Sequence, residues 1–175
     1  MDISILRLSH RIIRDKRVTT HLGLVGRAFC ASRMYYSGDK DPSLEEKIRD
    51  VNERFGGEFE VIYVKDPLKL VKQWREDGGI VVHLTMYGIP LPEVLEELRQ
   101  CDKILVVVGG EKVPPVYFEV ADYNVSITNQ PHSEIAATAV FLDRLLGGKA
   151  FYKEFTGGKF RVIPSARGKK LIRVG

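Results

Sequence analysis

The stretch Lys103-Ile-Leu-Val-Val-Val108-Gly-Gly-Glu-Lys-Val-Pro114 decides the fold. Ile104 to Val108 is an unbroken apolar run, far too short to span a membrane and of the length of a strand covered on both faces. It breaks at Gly109-Gly110, where the absence of side chains lets a ligand approach the backbone. The same unit recurs. Ile80 to Leu84 runs into Thr85-Met86-Tyr87-Gly88, and Tyr123 to Ile127 runs into Thr128-Asn-Gln-Pro-His-Ser-Glu134. Helical segments stand between these runs, at Pro67 to Glu76, at Pro92 to Arg99, and from Glu134 to a stop at Gly147-Gly148. Strands alternating with helices predict an α/β domain built on a largely parallel sheet.

Upstream, Ile3 to Leu8 reads as the first strand and Ser9 to Arg17 as a basic loop. Thr19 or Thr20 then caps a helix running to about Arg33, with Leu22, Val25, Phe29 and Cys30 on its buried face. A second helix opens at Pro42-Ser43, where Ser43-Leu-Glu-Glu46 has capping-box spacing, and ends at Gly56-Gly57. Phe59 to Val64 is a strand, and an irregular stretch precedes Tyr123. From Phe151 the character changes. Lys159 to Ile163 and Lys169 to Val174 alternate around Pro164-Ser-Ala-Arg-Gly168, as in a basic β-hairpin. The expected organisation is a domain over residues 1–149 and a hairpin extension over 150–175.

A chain of 175 residues suits one domain of this kind. Its formal charge of +4 hides a polarity. Residues 1–41 carry eight Lys/Arg against four Asp/Glu, residues 42–148 eleven against eighteen, and residues 149–175 eight against one. Two basic ends around an acidic middle suit a polyanionic partner, of which nucleic acid is the commonest. The Met-Asp start meets Arg7, Arg11 and Arg14 with no apolar core of a signal peptide, and the two cysteines, Cys30 and Cys101, form no disulfide framework. A cytoplasmic protein with reduced thiols is expected. His10, His21, His83 and His132 lie on separate elements, so no metal site is expected.

The loops after the strands are where an open α/β sheet binds its ligand. Gly and Pro also punctuate ordinary turns, and composition leaves both readings open. Neither G-x-G-x-x-G after a strand nor G-x-x-x-x-G-K-[ST] is present, which disfavours a standard dinucleotide fold and a P-loop NTPase. Arg27 stands among Leu24, Val25, Gly26, Ala28 and Phe29. In apolar surroundings a guanidinium needs a phosphate or an internal carboxylate. His21 lies six residues before it, about 120° around a helix.

Four collinear motifs carry a family resemblance: Arg7-x-x-His10-Arg11-x-x-Arg14-Asp15-x-Arg17-Val-Thr-Thr-His21 continuing to Arg27-Ala-Phe29; His83-Leu-Thr-Met-Tyr-Gly88; Val107-Val-Gly-Gly-Glu-Lys-Val-Pro114; and Asn124-Val-Ser-Ile-Thr-Asn-Gln-Pro-His-Ser-Glu-Ile-Ala136. They resemble the archaeal tRNA (cytidine(56)-2'-O)-methyltransferases of the SPOUT class. The resemblance implies a C-terminal trefoil knot, a homodimer, S-adenosylmethionine as methyl donor and the 2'-hydroxyl of cytidine 56 in the tRNA T-loop as acceptor. It also implies that Leu84, Gly109, Gly110, Glu111, Lys112, Val113, Ile127, Thr128, Asn129, Gln130, Pro131, His132, Ser133 and Glu134 bind the donor, and that Arg27 and His21 serve catalysis. Arg27 is read as gripping a phosphate and steadying charge on the ribose oxygen, with His21 or His132 as base. Arg11, Arg14, Lys16 and Arg17, with Lys169, Lys170 and Arg173 of the hairpin, are expected to hold tRNA. His21 stands where related ribose methyltransferases carry Asn, and Cys30 where the family pattern leads us to expect Gly. The alternatives are another SPOUT RNA methyltransferase, a non-catalytic RNA-binding module of the same fold, and a flavodoxin-like nucleotide binder, which the basic N-terminus disfavours.

Overall fold

The computed structural model describes residues 1–110 and 112–175. Apolar residues alternate along β1 (Asp2–His10) so that Ile3 and Ile5 face one side of a sheet, while Leu6 and Leu8 pack on the other. The same split divides β5 (Lys103–Val108), with Ile104, Val106 and Val108 on the first side and Leu105 and Val107 on the second. With β2 (Arg33–Gly38), β3 (Glu60–Tyr63), β4 (Ile80–Pro90) and β6 (Tyr123–Ser126), they form a six-stranded sheet in the order β3-β2-β1-β5-β4-β6. Every neighbouring pair in it is parallel. The first face is covered by Leu22 of α1 (Ile12–Ala28), Ile48 of α2 (Pro42–Phe55), Leu98 of α4 (Leu95–Arg99) and Phe141 of α6 (Glu134–Leu146). Val71 and Trp74 of α3 (Pro67–Glu76) and Tyr117 of α5 (Pro115–Val120) cover the second. The expected α/β architecture with a parallel sheet is present.

Several boundaries differ from the expectation, each for a physical reason. The expected loop from Ser9 to Arg17 is instead the end of β1, the N-cap Arg11 and the first turns of α1. Its cations face solvent, while Asp15, Thr19, Leu22, Gly23 and Gly26 recur at helical spacing on the buried side. The helix ends at Ala28 and not near Arg33, because Cys30 adopts φ 75°. That left-handed conformation favours glycine, so the cysteine at this position carries a backbone cost. β2, Arg-Met-Tyr-Tyr-Ser-Gly, lies where the sequence suggested the helix end and a connection. The stretch before Tyr123 holds α5. The Thr85–Gly88 break is an excursion within one strand, since β4 pairs with β6 through Leu84↔Val125 and resumes at Ile89↔Val125.

The cap of α2 is Asp41 and not Ser43: its side chain accepts from the Leu44 N–H. The same carboxylate holds the buried His10, whose Nε2 lies 2.9 Å from Asp41 Oδ2 while Nδ1 lies 2.7 Å from Thr19 Oγ1. One carboxylate thus ties the end of β1 and the middle of α1 to the start of α2. Burial alone would raise the Asp41 carboxyl. Hydrogen bonds from His10, Ser43 and the Leu44 N–H outweigh it and hold the group below the ordinary carboxylate range.

The C-terminal hairpin is present, with β7 (Phe160–Ile163) antiparallel to β8 (Lys170–Arg173). It folds back on the end of α2. The Gly57 N–H donates to the Thr156 carbonyl, and Lys159 Nζ lies 2.7 Å from Glu53 Oε1.

Replacing Asp41 by Ala is expected to cost about 2–4 kcal/mol in urea unfolding at pH 7, the sum of a lost cap and an orphaned buried partner. Because the native carboxyl titrates below its unfolded value, its contribution is complete above about pH 4 and fades as pH falls further. The gap between wild type and Asp41→Ala should therefore narrow below that pH.

Candidate functional site

The loops leaving β4, β5 and β6 enclose a cavity of about 920 Å³ at the carboxyl edge of the sheet. Leu84, Gly109, Gly110, Lys112, Val113, Ile127, Gln130, Pro131, His132, Ser133 and Glu134 line it, each at a position expected from the sequence. Glu111 lies outside the described residues. Thr128 and Asn129 do not line the cavity. Asn129 Nδ2 turns away to donate to the carbonyls of Met86 and Gly88, at 2.7 and 3.0 Å, and so braces the excursion of β4. Thr128 Oγ1 accepts from the Gln130 N–H within its own turn. Both side chains are thus engaged within the loop, which leaves their backbone groups as the part of these two residues that can face a ligand.

Much of the wall is apolar, formed by Leu84, Val108, Val113, Phe118, Ile127 and Ala137. A Cβ on Gly109 would run into Val113, so residue 109 lets the β5 loop close against its own next turn. Among the described residues Lys112 is the one Lys or Arg in the lining, which makes the cavity a poor cradle for several phosphates, while the apolar wall and the Glu134 carboxylate suit a ligand with an apolar body and a positive charge. Ser133 caps α6, its Oγ accepting from the Ile135 N–H at 3.0 Å, and Pro131 precedes that turn. S-adenosylmethionine fits this donor set.

Sequence reasoning missed the supports. Arg7, at the end of β1, is 2% exposed, and its Nη1 donates to the Gly109 carbonyl. Its Nη2 lies 4.0 Å from Asp15, which also accepts from Arg11 Nε at 2.9 Å. Burial lowers the affinity of the Arg7 guanidinium for its proton, against the fields of Glu134 and Asp15, which raise it. Its place in a mainly apolar strand hinted at burial, but the acceptor that makes it a support, the Gly109 carbonyl, lies on a distant element. His83 was missed too. It is buried at the cavity wall, its Nδ1 2.9 Å from Asn124 Oδ1 and its ring edge-on to Phe118. Burial lowers its pKa, so this imidazole is neutral at pH 7.

Arg27 lies elsewhere. It belongs to the last turn of α1, at the amino edge of the sheet, and lines no part of its own chain's cavity. Its Nε donates to Asn52 Oδ1 at 2.9 Å and its Nη2 to the Gly56 carbonyl, and its Cζ lies 4.4 Å from the centre of the Phe155 ring. These partners are neutral, and burial lowers the guanidinium pKa. His21 is exposed on α1, also outside the cavity. Arg11, Arg14, Lys16 and Arg17 are exposed along the first half of α1, and Lys169, Lys170 and Arg173 are exposed on the hairpin.

The model of the family described as tRNA ribose 2'-O-methyltransferase, aTrm56, matches residues 55–172. The chain belongs to this family. A relative from Ignicoccus hospitalis, named tRNA (cytidine(56)-2'-O)-methyltransferase, is 55% identical over all of this chain and 79% of its own length. One of the same name from Archaeoglobus fulgidus is 53% identical over 98% of this chain and 99% of its own. Among solved structures, the A. aeolicus TrmH/SpoU tRNA modifying enzyme superposes with a TM-score of 0.62 at 14% identity, over 89% of this chain and 80% of that one. The SpoU methyltransferase AviRb of Streptomyces viridochromogenes, crystallised with AdoMet, gives 0.59 at 15%, over 85% of this chain and 58% of that one. These two likenesses establish the fold.

Gly109→Ala tests the cavity assignment. The added methyl must push Val113 into the slot, and S-adenosylmethionine affinity measured by calorimetry is expected to fall about tenfold or more with the fold retained by circular dichroism.

Proposed function

We propose that this family member transfers a methyl group from S-adenosylmethionine to the 2'-hydroxyl of cytidine 56 in tRNA, as a cytoplasmic homodimer. The observation that carries the reading is that the loops bearing the family motifs converge on one cavity of suitable shape and charge. The same reading threads the loops at 85–88 and 127–134 into a trefoil knot, with the Asn129 bonds to Met86 and Gly88 fastening one to the other. It treats residues 150–175 as an RNA-binding extension of a domain over 1–149.

When bound, S-adenosylmethionine supplies a sulfonium methyl already activated for attack. The chain's task is to align the ribose oxygen and receive its proton. The backbone of residues 109–113 and 127–134 would hold the donor. His132 stands on the cavity rim with Nδ1 3.1 Å from the Ser133 carbonyl. A carbonyl only accepts, so Nδ1 carries the hydrogen and Nε2 is left as the basic nitrogen. That makes His132 the base available within one chain, and His21, outside the cavity, the weaker choice.

Arg27 can reach a cavity only in a second copy of the chain. α1 packs on α6, and the pair presents Ile13 fully exposed and Val140 at 42% exposure, apolar groups that a partner would cover. An arginine stays protonated at neutral pH, so Arg27 acts as a fixed cation toward a phosphate or the ribose oxygen and not as a base.

Methyl transfer from labelled donor to a tRNA transcript, followed by mapping, is expected to place the label on the ribose of cytidine 56. Label on a base would favour the other SPOUT reading, and failure to bind the donor the non-catalytic one. Arg27→Ala is expected to lose about a hundredfold or more in turnover with donor binding intact. Mixing it with Gly109→Ala, at a donor concentration too low to load the Gly109→Ala cavity, should recover about a quarter of wild-type activity if subunits pair at random in a twofold dimer. No recovery would place Arg27 outside the partner's site. Affinity for tRNA should fall steeply with salt, and Arg14→Ala or Lys16→Ala should each reduce the log–log slope by about one.

A further inference from the structure

After α6, the left-handed glycines Gly147 and Gly148 turn the chain into a short 3-10 segment, Lys149–Tyr152. Phe151 is 79% exposed and Tyr152 90% exposed, consecutive in the chain and both at the surface. Lys149 and Lys153 flank them, and residues 149–175 carry eight Lys/Arg against one acidic residue. Two large rings held in water at the end of a structured turn need a covering partner more than scattered exposed residues do.

We propose that Phe151 and Tyr152 form a stacking platform for unpaired bases of the RNA substrate, with Lys149 and Lys153 on the adjoining phosphates. The proposal rests on the tRNA-methyltransferase reading and adds a surface that the basic residues alone do not supply. Charge selects the occupant. A twofold contact with a second copy would set this patch against itself and bring lysine onto lysine. An unpaired RNA strand offers both what the rings require, a π face, and what the lysines require, a phosphate. The platform also adjoins the edge where Arg27 sits. Lys153 Nζ lies 5.0 Å from the centre of the Phe155 ring, the ring that covers Arg27. A base seated on Tyr152 would therefore place its backbone close to that guanidinium.

The test uses the full-length protein and a tRNA transcript. The chain has a single tryptophan, the buried Trp74, so Tyr152→Trp adds one exposed reporter at the platform. Its fluorescence is expected to be quenched on binding tRNA and not on binding a fully paired RNA duplex. Phe151→Ala with Tyr152→Ala should weaken tRNA binding about five- to a hundredfold while S-adenosylmethionine affinity and the salt slope stay at wild-type values. Phe151→Trp with Tyr152→Trp should restore it. Unchanged tRNA affinity in the double alanine variant would overturn the platform. So would a change of oligomeric state with tRNA affinity per dimer intact, which assigns the rings to a second copy, or equal quenching by phosphatidylserine vesicles. Quenching by tRNA together with no methylation of cytidine 56 by the wild type would keep the platform and overturn the reading it rests on.

Discussion

A guanidinium at the end of β1 holds the cavity in shape. Arg7 is buried where the chain crosses between the two halves of the sheet, with β1 paired to β2 on one side and to β5 on the other. Its bond to the Gly109 carbonyl fixes the loop leaving β5, and Asp15, one turn into α1, sits opposite its other amino group. A cation inside a protein persists only where acceptors offset its lost hydration. The β1 terminus, the first turn of α1 and the glycine loop are therefore constrained together. Asp15 also binds Arg11, one of the cations on the outer face of α1, so a single carboxylate joins that basic surface to the support of the glycine loop.

Around that clamp the fold separates its tasks by edge. The carboxyl edge carries the cavity, His132 and the neutral His83. The amino edge carries Arg27, its Asn52 and Gly56 acceptors, Phe155 and the exposed aromatic pair. A chain whose donor cavity and strongest candidate cation lie at opposite edges cannot bring both to one ribose by itself. In the proposed homodimer, the exposed Ile13 and Val140 would lie in the contact that joins them between two copies.

The sheet and the cavity were legible in the sequence because long apolar runs ending in Gly or Pro turns leave few alternatives. The first 40 residues were not. Five cations between Arg11 and Arg27 masked a helical period whose buried positions are polar or small, Asp15, Thr19, Gly23 and Gly26 among them. β2 was hidden because Arg33 and two tyrosines do not form an apolar run, and Cys30 concealed a left-handed turn that glycine would have announced. Arg7 and Asp41 escaped because a buried charge is recognised by its partners, which come from elements distant in sequence. Thr128 and Asn129 sit in the expected loop, but their side chains bond backbone groups there, a use that their place in the sequence does not announce.

The most direct measurement is calorimetric titration of S-adenosylmethionine into wild type, Arg7→Lys and Arg7→Met. The account predicts one donor site per chain in the wild type, a loss of about tenfold or more in Arg7→Met, and partial recovery in Arg7→Lys. A folded Arg7→Met protein that binds the donor as tightly as the wild type would contradict it.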